Sequence, residues 1–150
     1  EKLLNNQIST FKVDLKKDLT DIQKHKLEMF IYICLDIKYD EISKKYYSFC
    51  TRLTNPYMSC RNLLTLMVSD DCINWSVLKD IYDYRHMHPQ KAGFQYVDFE
   101  FEDDDIIFLC RTGLNEPHGF HDTNYQTFDR VENFRKLVED AGELEIFHVR

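Results

Sequence analysis

Gly93–Phe134 reads GFQYVDFEFEDDDIIFLCRTGLNEPHGFHDTNYQTFDRVENF, two strand-like runs around an acidic turn, then a polar loop and a third strand. Gln95, Val97, Phe99 and Phe101 alternate with Tyr96, Asp98 and Glu100, the period of two of a strand with one greasier face. Ile106–Cys110 is continuously apolar and reads as a strand buried on both faces. Glu102-Asp103-Asp104-Asp105 between them is too charged to bury and short enough for a hairpin turn. These carboxylates lack the alternating ligand pattern and closing Glu of a calcium loop, so a solvated turn is the better reading.

Working outward, the same grammar recurs. Tyr46–Arg52, Arg61–Val68 and Trp75–Ile81 read as strands, and Asp40–Lys45 reads as a turn with a strand on either side. Leu27–Ile37 fits helix or strand by pattern, and its β-branched and aromatic residues with no preceding capping box favour strand. Phe11–Leu15 is a short alternating run, and Lys16–Lys26 a polar connector. A helical pattern arises only over Glu132–Asp140. Short, evenly spaced strands predict an all-β sandwich, barrel or propeller, and the repeated strand, acidic turn, strand unit points to a propeller.

Composition bounds the partners. The 150 residues, 43% hydrophobic and 14% aromatic, suffice for one domain with a core. A net charge of −7, with no Lys/Arg cluster interleaved with aromatics, disfavours nucleic acid and anionic membranes. No apolar run is long enough to span a bilayer, and Glu1–Thr10 lacks a signal-peptide pattern. Five cysteines without a Cys-x-x-Cys pair argue against a zinc ribbon or a complete disulfide framework, and Cys34, Cys50 and Cys110 read as core fillers. No cofactor or metal is expected. His86 and His88 precede Pro89 in a turn and read as surface residues.

One turn is more distinctive. In Ser69-Asp70-Asp71-Cys72-Ile73-Asn74-Trp75, Ser and Asp side chains can bond the backbone of their own turn while the Trp folds back as an apolar plug. This resembles the Asp-box of sialidase-type propeller blades, S-x-D-G-x-x-W, with Cys72 where glycine is usual. Taken in order with Leu53-Thr54-Asn55-Pro56, Arg61-Asn62-Leu63, Gly93–Asp98, Arg111-Thr112, His121–Tyr125 and Asn133-Phe134-Arg135, it makes residues 38–135 similar to the C-terminal part of a sialidase-like, six-bladed β-propeller glycoside hydrolase family.

That resemblance implies a glycan substrate bound at the mouth of a central channel and a secreted or periplasmic bacterial setting. A blade has four strands, so the chain would supply about two antiparallel blades of a partial propeller: residues 1–26 a connector and last strand, 27–92 one blade, 93–150 another with a tail. Closure then needs blades from elsewhere or self-association through open blade edges. In such sites arginines grip a substrate carboxylate, a Tyr assisted by a Glu attacks, and an Asp serves as acid/base. The resemblance maps substrate binding onto Arg61, Arg111, Gln95 and Asn124, with Arg52 a weaker third arginine. Catalytic roles fall on Tyr96, His121 and Asp122. The arginine and acidic residue of the early blades have no counterpart. The alternative is a non-catalytic carbohydrate-binding or assembly module.

Overall fold

A computed structural model describes residues 36–52, 54–55, 58–144 and 146–147. The expected strand and connector before residue 36, and Cys34 as a core filler, lie outside the described residues. Eight strands and one short helix follow in order: β1 (Ile37–Asp40), β2 (Lys45–Thr51), β3 (Leu63–Ser69), β4 (Trp75–Asp83), β5 (Gly93–Glu102), β6 (Asp105–Gly113), β7 (Tyr125–Val131), α1 (Phe134–Asp140) and β8 (Ile146–Phe147). The described chain is all-β in class, built as two antiparallel sheets, neither closed into a barrel, as expected of partial propeller blades.

The first sheet is a four-stranded meander, β1-β2-β3-β4, extended by the two-residue β8 alongside β4. The second, β5-β6-β7, has three strands. Thus the chain returns to the first sheet through β8 rather than giving the second a fourth strand. The backbones meet at one end, where Arg61 forms a parallel bridge to Gly93 and the Phe94 amide donates to the Arg61 carbonyl at 2.9 Å.

The sheets pack face to face through the side chains that alternation aims inward. Tyr47, Phe49, Leu64, Leu66 and Val68 of the first meet Phe94, Phe99, Ile106, Phe108, Cys110 and Val131 of the second, with Phe134 of α1 closing one end. The aromatic pairs Phe49–Phe108 (4.7 Å between centroids), Phe49–Phe99 (5.3 Å) and Tyr82–Phe94 (4.9 Å) cross the interface. Such rings remove large apolar areas from water and add a smaller orientational term of about 0.5–1.5 kcal/mol per pair. The first sheet is also buried behind: Cys50, Met67 and Trp75 form a second cluster, and all seven residues of β3 are buried.

The second sheet differs, and here the sequence reading needs correction. Ile106–Cys110 is not buried on both faces. Ile106, Phe108 and Cys110 point into the core, whereas Leu109 is 39% exposed. Its neighbour across the sheet, Phe128, is 64% exposed. An apolar run therefore marked a strand with one covered and one open face.

The Ser69–Trp75 turn makes the bonds its side chains allow. Ser69 Oγ accepts from the amides of Asp71 (3.2 Å) and Cys72 (2.9 Å) and donates to the Asn74 carbonyl at 2.6 Å. Asp71 Oδ1 accepts from the amides of Ile73 (2.9 Å) and Asn74 (2.7 Å), and Trp75 Nε1 donates to the Cys72 carbonyl at 3.1 Å. Cys72 adopts φ 61°, the left-handed conformation for which glycine is the usual choice.

At that same end, Asp40 and Arg135 tie the sheets together. Arg135 donates to both Asp40 oxygens (Nε 2.9 Å, Nη2 2.8 Å) and through Nη1 to the Asp103 carbonyl and the Asp104 carboxylate. Asp40 is held further by the amide and hydroxyl of Ser43 at 2.8 and 2.6 Å. The β1–β2 turn, the β5–β6 turn and α1 thereby meet on one buried fork.

Candidate functional site

The opposite end of the sheets gathers most of the residues singled out from sequence. Its geometry begins with a bulge in β5. Gln95 pairs with Arg111 but Asp98 pairs with Leu109, so Tyr96 and Val97 together oppose Cys110. Tyr96 takes φ 50°, a conformation bulky side chains seldom adopt, and its ring is 51% exposed. Bulges re-aim side chains and occur often beside functional sites.

The bulge also reverses the alternation read from the sequence. Gln95 belongs with Arg111 and Asp98 on the open face, not with Phe99 in the core, because one extra residue swaps the faces on either side of it. Gln95 is nevertheless buried, since the loop between β6 and β7 folds over it. Its Oε1 accepts from Arg61 Nη1 at 3.1 Å and its Nε2 donates to the Phe120 carbonyl at 2.5 Å. Gly93 permits this overlay: a Cβ there would stand 2.2 Å from the Phe120 carbonyl oxygen.

Two guanidinium groups flank the Tyr96 ring, Arg61 at 5.9 Å and Arg111 at 5.6 Å from its centroid, within reach of cation–π attraction. Arg61 also lies 5.9 Å from the Phe120 ring. Arg111 is braced by Thr123 Oγ1 (2.6 Å from Nε) and by the His121 carbonyl (3.4 Å from Nη2). Neither guanidinium has a carboxylate partner among the described residues. The other arginines among the described residues all do: Arg52 with Asp80, Arg85 with Asp83, Arg130 with Glu102 and Asp105, Arg135 with Asp40 and Asp104.

His121 sits against this pair, its ring 4.5 Å from that of Phe120. Partial burial, and then the positive charges of Arg61 and Arg111, hold its pKa below the ordinary imidazole value, with Asp122 pulling weakly the other way. It is therefore neutral near pH 7. Asp122 is exposed, with His118 Nδ1 3.8 Å from its carboxylate. Asn124 lines the site, but its side chain is committed: Oδ1 accepts from the Leu114 amide at 3.0 Å and Nδ2 donates to the Leu114 carbonyl at 2.5 Å. An open depression runs over Tyr96, Arg111, Thr123, Asn124, Tyr125 and Gln126.

Arg61, Gln95, Tyr96, Arg111 and His121 thus converge, while Asp122 and Asn124 stand at the rim, one toward solvent and one bracing a loop. Arg52 belongs elsewhere, paired with Asp80 at 3.4 Å. Thr123 and Phe120, which contact the arginines, lie within stretches that stand out in the sequence, but nothing local assigns them a role. The Thr54 hydroxyl donates to Asn62 Oδ1 at 2.6 Å, a bond that joins two of the early motifs in a structural role. His86 stacks on Tyr84 and His88 accepts the Gln90 amide, and no cluster of three metal-ligating side chains occurs among the described residues.

Fold and site together define an all-β protein with a cationic and aromatic surface site at one end of two packed meanders. No family model, curated protein or solved structure matches the chain.

Proposed function

We propose that the chain recognises an acidic glycan through Arg61, Tyr96 and Arg111, as part of a sialidase-like β-propeller glycoside hydrolase. The observation that carries this reading is a pair of arginines that have no carboxylate partner among the described residues. In a chain of net charge −7, with acids enough to satisfy every other described arginine, these two both lie beside one exposed aromatic ring. A ligand carboxylate would supply the missing anion, and the Tyr96 face would support the apolar side of a sugar ring. The Ser69–Trp75 turn lends the family reading support, since its Ser, Asp and Trp make the bonds expected of an Asp-box even with Cys72 in the glycine position. Arg61 and Arg111 would then grip the carboxylate, with Gln95 holding Arg61 in place. Tyr96 would be the group facing the anomeric carbon.

A non-catalytic glycan-binding role is the second reading, and one observation favours it. The Tyr96 hydroxyl makes no hydrogen bond among the described residues, and hydrolysis by a tyrosine needs a carboxylate to take its proton. Asp122, pointing toward His118, does not fill that place.

The test is titration of the chain with a sialylated trisaccharide and with the same glycan lacking the sialic acid, followed by a turnover assay on a fluorogenic sialoside. The acidic glycan should bind and the neutral one should not. Arg111→Ala should weaken binding by roughly 10- to 100-fold, the worth of one charge-assisted bond, with unchanged circular dichroism. Equal affinity for both glycans would refute acidic recognition. Binding without turnover would select the non-catalytic reading.

A further inference from the structure

We propose that the site takes more than one acidic sugar: the next, neutral sugar of the same glycan lies on the open face of β6 and β7, read by Gln126 and supported by Phe128. This rests on the acidic-glycan reading of Arg61, Tyr96 and Arg111 and extends it by one subsite. The first ground is register. Gln95, Arg111 and Gln126 form one row across β5, β6 and β7, so Gln126 stands directly beside Arg111 on the face that the core leaves open. Neighbouring strands lie about 4.8 Å apart, which puts Gln126 roughly 10 Å from Gln95 at the start of the row. The depression follows that row, from Tyr96 on β5 over Arg111 on β6 to Gln126 on β7, with a volume of about 530 Å³. Sites of about 300–1,000 Å³ hold ligands of drug size, larger than a single sugar ring.

The side chains past Arg111 suit a sugar. Gln126 is exposed, and its amide makes no hydrogen bond among the described residues. An amide offers both donors and an acceptor, which is what sugar hydroxyls need. Two residues on, and on the same face, Phe128 is 64% exposed, with Leu109 beside it in register and 39% exposed. A phenyl ring has no polar tip to keep in water, and next to the amide it supplies the apolar platform for the underside of a ring whose hydroxyls Gln126 meets.

Charge makes the second sugar a neutral one. The cation further along the same face of β7, Arg130, is already bound by Glu102 and Asp105. Asp98, exposed, occupies the row of Leu109 and Phe128. A second carboxylate placed there would be repelled by Asp98, whereas a neutral ring would not.

Calorimetric titration of the intact chain with two probes tests this. The methyl glycoside of sialic acid fills only the arginine site, and the sialylated trisaccharide adds two neutral sugars. The trisaccharide should bind roughly tenfold tighter, about the worth of one hydrogen bond with some apolar burial. Phe128→Ala and Gln126→Ala, at exposed positions and checked for folding by circular dichroism, should each shrink that ratio several-fold. A ratio near one in the parent chain would overturn the inference while leaving the arginine site standing. A ratio that neither variant changes would overturn it too, and would give the Phe128 face to a protein contact instead. If neither probe binds, the acidic-glycan reading falls and this inference with it.

Discussion

Single side chains decide how the candidate site behaves with pH. The His121 imidazole, though exposed, is held below its ordinary pKa by partial desolvation and by the two neighbouring arginines. A bound anion would relieve that opposition, so ligand binding and proton uptake favour each other. Affinity for the acidic glycan should therefore rise as pH falls from 7 through the lowered imidazole range, and His121→Gln should flatten the dependence. Calorimetric titration across that range would check both, and an affinity that falls on acidification would remove His121 from the site. Tyr96 and Cys72 show a related point. Each is a non-glycine residue at positive φ, a conformation that costs of order 1–2 kcal/mol, and each is held there by its surroundings. For Cys72 the surroundings are the side-chain bonds of Ser69 and Asp71, which fix the turn without glycine's freedom. For Tyr96 they are the bulge and its two guanidinium neighbours.

At the scale of elements, the site depends on how the β6–β7 loop lies over the start of β5. Gln95 holds it there through the Phe120 carbonyl, while Arg111 ties it to β6 through Thr123 and Asn124 closes the loop on both polar groups of Leu114. The Gln95 link needs the Phe120 backbone close to β5, which is why residue 93 has no side chain. Gly93→Ala should push Phe120 away, break the Gln95 link and release Arg61. Glycan binding should drop at least tenfold and the melting temperature by several degrees, the size expected of about 1–2 kcal/mol in a domain this large. Binding measured alongside thermal unfolding gives the check: unchanged values for both would mean that the loop can shift without disturbing the arginines. The strands themselves were largely legible. Tyr46–Arg52, Trp75–Ile81, Gln95–Phe101 and the helix over Glu132–Asp140 fall within a residue or two of the observed elements, because alternation and turn residues are local signals. The bulge at Tyr96–Val97 was not legible, since an extra residue in one strand has meaning only against its partner.

For the whole molecule, the two sheets are held by an aromatic interface along their length and by the Asp40–Arg135 fork at the end remote from the site. Arg135 and the Ser43 bonds hold the Asp40 carboxyl well below the ordinary carboxylate range. A depressed folded pKa contributes stability that is present above the unfolded value, near 3.9, and is lost as pH falls toward the folded one. Acid unfolding should thus set in below about pH 5 and steepen as the solution becomes more acidic. Asp40→Asn should cost about 3 kcal/mol at pH 7, since it leaves a buried guanidinium short of its partner, and should remove part of the acid sensitivity. Urea unfolding at pH 7 and pH 3 measures both. A variant as stable as the parent at pH 7 would show that Asp104 and the Asp103 carbonyl suffice for Arg135.

By itself, the sequence determined that this chain is built from antiparallel hairpins, where their turns fall and which side chains could meet an anion, because strand alternation, turn chemistry and residue type are written within a few positions of one another. Tertiary structure decided the rest. It set which face of β6 stays open, moved Gln95 from the core side to the side of Arg111, and brought Arg61, 34 residues from Gln95 along the chain, to the same ring as Arg111. Those outcomes depend on how two sheets pack and on one bulge between paired strands, and the energy of packing and pairing belongs to contacts between distant segments, which no local pattern records.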